Sequence, residues 1–356
     1  MRQGPPIDAR GLVITGPTSS GKTALSLPVA ELLAGEIISM DSRQVYRGMD
    51  IGTDKAPPEL RERVPHHGLD LVEPEARFSA GRWARSARRW IDEIQGRGRV
   101  PLIVGGTGFY LRALTHPVFR EPTRDPGRRR ALERWLEGRS EEELIRWTER
   151  LDPQRVEVAA AGGRQRLVRT LEVALLTGRP LSWWHDHAPP EAPPMPLGVV
   201  LLTLPREQLY LRINERAQRM FEEGLLEEVS RLLAEGASPE DPGMTGTGYR
   251  EAAAVLGGDL SLEEALDQVQ RATRRYARRQ ITWFRHQLPD EGVLEVDARS
   301  PLKEQVDRVV RWWRTGPGTG GVGHTEDSRE SDPSPAAPSS RSADLEDGAM
   351  TRKDLR

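Results

Sequence analysis

Short apolar runs alternate with longer amphipathic stretches through the first hundred residues. Leu12–Thr15 precedes a helical pattern that begins near Lys22, and 100–104 precedes another near Phe109. Between them, Glu36–Met40 is a third apolar run and leads into an Asp-Ser turn. Strands that alternate with helices favour a parallel sheet with helices on its faces. The first 116 residues are therefore predicted to begin an α/β core.

The pattern changes twice further along the chain. Residues 117–196 read as a helical, Arg- and Glu-rich insertion that closes with a Pro-rich linker at 189–196. Residues 197–314 return to the core, with a strand at Val199–Leu204. A helix then carries the apolar positions Ile213, Ala217, Met220, Phe221, Leu225, Val229 and Leu232. A long last helix follows at 261–287, and the tail at 315–356 has the composition of a disordered segment.

Composition removes several classes of function. The chain has no cysteine, which excludes disulfides, thiolate metal sites and a cysteine nucleophile. No apolar stretch approaches the roughly 20 residues that span a bilayer, and prolines interrupt the N-terminal start, so we expect a cytoplasmic protein without membrane contact. We also expect a monomer. With 52 basic against 54 acidic residues the net charge is −2, so a cationic surface requires segregation of charge.

A phosphate-loop motif stands between the first strand and the first helix. The pattern G-x-x-x-x-G-K-[ST] is met by Gly16, Pro17, Thr18, Ser19, Ser20, Gly21, Lys22 and Thr23. Backbone N–H groups of such a loop and the following helix N-terminus face an anion, Lys22 adds a point charge, and the Thr23 hydroxyl can hold Mg²⁺. The expected fold is a P-loop NTPase-like parallel sheet core with helices on both faces, and the expected ligand is a di- or triphosphate.

Two further turns follow predicted strands. Asp41-Ser42-Arg43-Gln44 comes after the second strand, and residues 105–108, which include Thr107, come after the third. The carboxyl ends of parallel strands lie at one edge of a sheet, so Asp41 should face the phosphate loop. The alternative, that Asp41 or Ser42 only caps a following helix, has equal support from the pattern.

The long C-terminal helix carries an unusual concentration of arginine. Arg271, Arg274, Arg275, Arg278, Arg279 and Arg285 lie in fifteen residues without a carboxylate, and five of the six share one broad helix face. Charged helix faces normally mix signs, whereas this one has no partner within the stretch. A phosphate backbone is the natural external partner.

Two histidine groups could suggest a metal. His66 and His67 are adjacent and point apart, while His185 and His187 could share one side of an extended segment. A zinc site needs a third ligand, which the sequence does not identify, so we interpret all four as surface or packing residues.

Together the motifs resemble one family, the tRNA dimethylallyltransferases, over about residues 10–290. The resemblance rests on GPTSSGKT (16–23), ISMDSRQVYRGMDIGTDK (38–55), HHGLDLVEP (66–74), FSAGRW (78–83), PLIVGGTGFYLRAL (101–114), QRLVRTLEV (165–173), GYRE (248–251) and ATRRYARRQITWFR (272–285). Only the phosphate loop is widely shared among proteins.

This resemblance implies transfer of a dimethylallyl group from dimethylallyl diphosphate to N6 of adenine 37, beside the tRNA anticodon. By matching motif, Asp41 would be the general base, Thr107 would position base and diphosphate, and Arg216 would add charge to the diphosphate. The tRNA-contacting residues implied by the match are Asp41, Ser42, Arg43, Gln44, Thr107, Arg129, Gln165, Arg166, Leu167, Val168, Arg169, Tyr249, Arg250, Arg278, Arg279, Gln280, Thr282, Trp283 and Arg285.

Two other functions fit parts of the sequence. A small-molecule P-loop kinase predicts an apolar strand that ends in a metal-binding Asp, but the strand at 100–104 ends in Gly-Gly-Thr. A prenyltransferase of free adenosine phosphates needs neither the helical insertion nor the arginine helix. The full set of features favours the tRNA enzyme.

Overall fold

The computed structural model describes residues 4–116, 125–188, 192–289 and 291–316. Within them lie six strands: β1 (Leu12–Thr15), β2 (Gly35–Ser39), β3 (His66–His67), β4 (Val100–Val104), β5 (Gly198–Thr203) and β6 (Val293–Asp297). All pair in parallel, in the order β3-β2-β4-β1-β5-β6. The predicted parallel sheet is therefore confirmed, with β1 and its phosphate loop near the centre.

The helices of the described residues surround this sheet and extend beyond it. They are α1 (Lys22–Leu32), α2 (Pro58–Arg63), α3 (Ala80–Gly96), α4 (Gly108–Thr115), α5 (Pro126–Glu137), α6 (Glu141–Leu151), α7 (Val156–Ala161), α8 (Arg164–Thr177), α9 (Leu181–His187), α10 (Arg206–Glu222), α11 (Leu225–Ala234), α12 (Tyr249–Leu256), α13 (Leu262–Gln287) and α14 (Leu302–Arg314).

Alternation along β1 places helices on both faces of the sheet. Leu12 and Ile14 point into a core that α1 and α14 complete, whereas Val13 points into a second core formed with α3 and α4. Side chains of a strand alternate between faces, so the four buried residues of β1 in succession require a cover on each side. The expectation of helices on both faces is confirmed.

The inserted helices pack around a small core of their own. Leu136, Leu144, Ala159, Leu167 and Leu171 are buried together between α5, α6, α7 and α8. A capping box at Ser140 and Glu143 starts α6 and satisfies backbone N–H groups of its first turn. The predicted boundary at 117 lies outside the described residues. So do residues 189–191 of the predicted linker and residues 317–356 of the predicted tail.

One local prediction was wrong, and one possibility left open by the sequence does not occur. The helix expected to run from Ile213 to Leu232 is divided into α10 and α11, because Gly224 adopts φ +104°, a left-handed conformation that turns the chain. The segment with His185 and His187 is helical, not extended, and the His187 ring stacks on Trp183. The two imidazoles therefore do not share a side.

Candidate active site

The phosphate loop connects β1 to α1 at the carboxyl end of the sheet. Gly16 and Gly21 adopt positive φ, and Ser19 does so as well at φ 60°. The Lys22 ammonium donates to the carbonyl oxygens of Gly16 at 3.1 Å and Pro17 at 2.7 Å, so it closes the loop from inside. A backbone held in this shape presents its N–H groups to an anion without further ordering.

Burial and neighbouring charges set the pKa of Lys22. Burial, followed by the positive charge of Arg216, lowers its pKa to about 8, while the carboxylates of Asp41 and Asp54 act in the opposite direction. Desolvation disfavours the charged form of an amine. An anion bound in the loop would restore the missing countercharge.

Asp41 lies two residues beyond the end of β2, in a turn that faces the phosphate loop. Its Oδ1 accepts a hydrogen bond from the Arg43 N–H at 2.8 Å, and the Ser42 N–H donates to Thr107 Oγ at 3.2 Å. No helix begins here, so the alternative role of Asp41 or Ser42 as a helix cap is wrong. The contact between Ser42 and Thr107 shows that the two predicted turns meet at this edge of the sheet.

A charged cavity of about 360 Å³ opens between these turns and α10. Its wall includes the basic residues Lys22, Arg212, Arg216 and Arg219 and the acidic residues Asp41, Asp54 and Glu215. Arg216 donates to Thr18 Oγ at 2.9 Å and lies 3.4 Å from an Asp54 carboxylate oxygen. The geometry brings Arg216 to the phosphate loop, as the family resemblance implies.

A second cavity of about 300 Å³ adjoins the first. The two share Thr18, Asp41, Thr53, Arg216 and Tyr276 in their walls, and the second adds the apolar side chains Ile213, Ala217, Met220 and Val269. Burial, then the negative charge of Asp41, raises the pKa of Tyr276 to about 12. Asp41 therefore lies in the wall shared by the first, charged cavity and the second, partly apolar cavity.

Gln280, expected among the RNA contacts, has a different position. Its side chain is buried, accepts from the Thr18 N–H at 2.8 Å and donates to the Gly106 carbonyl at 2.9 Å. It therefore ties α13 to the phosphate loop and to the turn that holds Thr107. A polar contact across 262 residues leaves no local sequence signal.

The arginines of α13 fall into two groups. Arg271 forms an ion pair with Asp267 at 2.6 Å, and Arg274 donates to Asn214 of α10 at 2.7 Å, so both have partners outside the stretch at 271–285. Among the described residues, Arg275, Arg278 and Arg285 are exposed and have no ion-pair partner. This exposed side also includes Arg279 and Thr282, whereas Trp283 packs edge-on against Phe284.

Residues predicted to touch RNA in the insertion divide in the same way. Gln165 and Arg166 are exposed, but Leu167 is fully buried in the insertion core and Val168 packs against it. Arg129 lies 3.0 Å from Glu172, which Arg169 also approaches at 3.3 Å. The Leu167 side chain is therefore not available to RNA.

The GYRE segment shows a similar contrast. Arg250 is exposed and forms an ion pair with Glu251, whereas Tyr249 is buried and donates its hydroxyl hydrogen bond to Glu228 at 2.5 Å. The expected contact of the Tyr249 side chain with RNA was therefore wrong. Sequence reasoning missed two residues of the first cavity, Arg212 and Asp54, of which only Arg212, one helical turn before Arg216, carries a spacing signal.

The described residues hold no group of three or more His, Asp or Glu side chains that could bind a metal on its own. The phosphate loop offers the hydroxyl of the exposed Thr23 and the buried hydroxyl oxygens of Ser19 and Ser20, which have no hydrogen-bond partner. This set suits a Mg²⁺ ion that shares its ligands with a bound phosphate. None of the described helices combines the length and the apolarity needed to span a bilayer.

A parallel sheet with a phosphate loop at its central strand and a carboxylate across the cavity defines a phosphate-binding α/β protein of the P-loop class. Residues 44–287 match the family described as IPP transferase. The tRNA dimethylallyltransferase of Geobacter sulfurreducens is 44% identical over 77% of this chain and 88% of its own, and that of Thermomicrobium roseum is 42% identical over 84% and 91%.

Solved structures agree with these relatives. The full-length tRNA isopentenylpyrophosphate transferase of Bacillus halodurans is 35% identical, with a TM-score of 0.61, over 85% of this chain and 95% of its own. A eukaryotic dimethylallyltransferase acting on tRNA is 26% identical, with a TM-score of 0.66, over 86% and 76%. The chain belongs to the IPP transferase family, the tRNA dimethylallyltransferases, and is a transferase.

Proposed function

We propose that this chain transfers the dimethylallyl group of dimethylallyl diphosphate to N6 of adenine 37 in tRNA, giving N6-dimethylallyladenosine and diphosphate. The observation that carries the proposal is the pair of joined cavities, in which Asp41 stands between the phosphate loop and a partly apolar chamber. The relatives named for this reaction support the choice of substrates.

The basic residues of the first cavity suit the departure of diphosphate. As the allylic C–O bond breaks, negative charge accumulates on the leaving oxygens, where Lys22, Arg212, Arg216 and the loop N–H groups would stabilise it. These groups are already oriented, since Lys22 and Arg216 are held by hydrogen bonds to the loop itself. A bound Mg²⁺, held by Thr23 and the diphosphate oxygens, would supply further neutralisation of that charge.

Asp41 suits the proton transfer that accompanies bond formation. The adenine N6 lone pair is delocalised into the ring, so the amine must lose a proton as the new C–N bond forms. The free oxygen of Asp41 would accept that proton, because its other oxygen is held by the Arg43 N–H. Thr107, whose hydroxyl accepts from the Ser42 N–H, would keep this turn in place.

The exposed arginines of α13 suit an RNA backbone. Arg275, Arg278, Arg279 and Arg285 lie on the helix that also supplies Tyr276 and Gln280 to the cavity wall. A base within a stacked anticodon loop cannot reach such a cavity, so adenine 37 would be flipped out while α13 and the insertion hold the stem-loop. We expect the enzyme to act as a cytoplasmic monomer.

Mass analysis of nucleosides tests the proposal directly. Unmodified tRNA is incubated with the enzyme, dimethylallyl diphosphate and Mg²⁺, then digested, and we expect a dimethylallyl mass increment on the adenosine at position 37. Parallel reactions contain adenosine monophosphate and triphosphate. An increment on the free nucleotides and none on tRNA would refute the proposal and favour a free-nucleotide prenyltransferase.

A further inference from the structure

Glu228 is a buried carboxylate outside the residues assigned so far. It lies on α11, and one of its oxygens accepts the N–H groups of Asp50 and Ile51 at 2.9 Å each. Its other oxygen accepts from the Gly52 N–H at 3.4 Å and from the Tyr249 hydroxyl at 2.5 Å. Four donors from two separate segments therefore converge on the two oxygens of one side chain.

Tyr249 closes the same contact from α12. Burial, then the negative charge of Glu228, raises the pKa of the Tyr249 hydroxyl far above its ordinary value, so it remains a donor. A Cβ atom on Gly52 would overlap the Tyr249 ring, and the close approach of loop and ring therefore requires glycine there. Glu228 and Tyr249 together clamp the backbone of residues 50–52.

The clamped turn continues directly into the cavity wall. Thr53 and Asp54 line the first cavity, and their carbonyl oxygens accept hydrogen bonds from Gln44 Nε2 at 3.1 and 3.2 Å. The Asp54 carboxylate lies 3.4 Å from Arg216, which in turn donates to Thr18 of the phosphate loop. Asp54 itself adopts φ 56°, a conformation that a non-glycine residue keeps only when its surroundings impose it.

We propose that Glu228 and Tyr249 are positioning residues, which orient Arg216 toward the diphosphate through the turn at residues 50–54. This inference rests on the proposed function for its assay, but its geometry does not depend on the identity of the acceptor. Removal of the clamp frees three backbone N–H groups, and the turn then no longer presents Asp54 at one place beside Arg216. The diphosphate site loses preorganisation, although no residue that would touch substrate has changed.

The test compares Glu228→Ala, Glu228→Gln and Tyr249→Phe with wild type. Glutamine keeps an acceptor oxygen for the Asp50 and Ile51 N–H groups, and Tyr249 can rotate to accept from its amide, so Glu228→Gln should stay within about threefold of wild-type kcat/KM. Glu228→Ala should lose roughly tenfold or more, and Tyr249→Phe an intermediate amount. Affinity for inorganic diphosphate, measured by calorimetry, should fall in the same order.

Glu36→Ala is the matched control. Glu36 is equally buried, binds Arg97 and His67, and lies near the start of β2, at the other end of that strand from Asp41. Its removal should lower Tm without changing diphosphate affinity. A loss of affinity in Glu36→Ala as large as that in Glu228→Ala would overturn the inference, because the effect would then be general destabilisation.

A double-mutant cycle with Arg216→Ala separates positioning from simple structural support. If Glu228 acts through Arg216, Glu228→Ala should change diphosphate affinity less than about twofold in the Arg216→Ala background. Multiplicative effects would overturn the inference. If Glu228→Ala does not fold, the same cycle with Tyr249→Phe decides. A wild-type enzyme that binds diphosphate but does not transfer to tRNA would refute the proposed function alone, since the calorimetric cycle remains.

Discussion

The buried side chain of Gln280 provides a sharp test of how the helix α13 supports the phosphate loop. Gln280→Leu keeps the approximate volume but removes the acceptor for the Thr18 N–H and the donor to the Gly106 carbonyl, at 2.8 and 2.9 Å. Two neutral hydrogen bonds in a buried site contribute about 1–3 kcal/mol together. For a chain of 356 residues, about 2 kcal/mol corresponds to a fall in Tm of roughly 3 °C.

The same substitution should weaken catalysis more than its stability cost suggests. Gln280 joins the two turns that carry Thr18 and Thr107, so its loss lets the phosphate loop and the Asp41 turn move independently. We expect KM for dimethylallyl diphosphate to rise about tenfold in steady-state assays below the Tm of the variant. Gln270→Leu, on the same helix and without a described hydrogen bond, is the control. Equal Tm and KM in the two variants would refute the reasoning.

Three further outcomes are expected. Asp41→Asn keeps an acceptor for the Arg43 N–H, so tRNA and diphosphate affinities should stay within about threefold while kcat falls roughly 10²- to 10⁴-fold; near-normal turnover in single-turnover assays would remove Asp41 from the base role. Because burial lowers the pKa of Lys22 to about 8, the residue is protonated below that pH and neutral above it, so KM for dimethylallyl diphosphate should rise between pH 7 and 9, and Lys22→Arg should abolish this rise; an equal rise in the variant would contradict the assignment. Replacement of Arg275, Arg278 and Arg285 by Ala should weaken tRNA binding and lower the salt dependence of its affinity by about one unit of slope per residue, with kcat at saturating tRNA unchanged; an unaltered slope would show that RNA binds elsewhere.

The local sequence pattern was sufficient to predict those parts of the fold that depend only on residues close together in the chain. The strand, glycine turn and helix around Lys22 follow from apolar spacing and motif, and α13 follows from its period and from the capping box at Ser261. The two-residue strand β3 and the turn at Gly224 were missed for opposite reasons. A strand of two residues has no period to detect. The apolar helical period, in contrast, continues across Gly224, although the helix itself ends there and a new one begins.

Some residues of the candidate site could likewise be placed from the sequence, and others could not. Asp41 and the phosphate loop were predictable because the carboxyl ends of parallel strands meet at one edge. The placements of Leu167, Tyr249 and Gln280 were not, since a motif shows that a residue is present but not whether it points inward. Each of the three is buried against residues of other helices or loops, and burial by other elements has no signature in the spacing of one segment.

The order of strands has a consequence for how the enzyme is made. β1, which carries the phosphate loop, pairs with β4 on one side and with β5 on the other, and β5 begins only at residue 198. At ordinary translation rates of about 5–20 residues per second, one edge of β1 stays open for roughly 10–40 s after synthesis. The phosphate loop is thus among the first functional elements to leave the ribosome and, since Gln280 comes later still, among the last to become ordered.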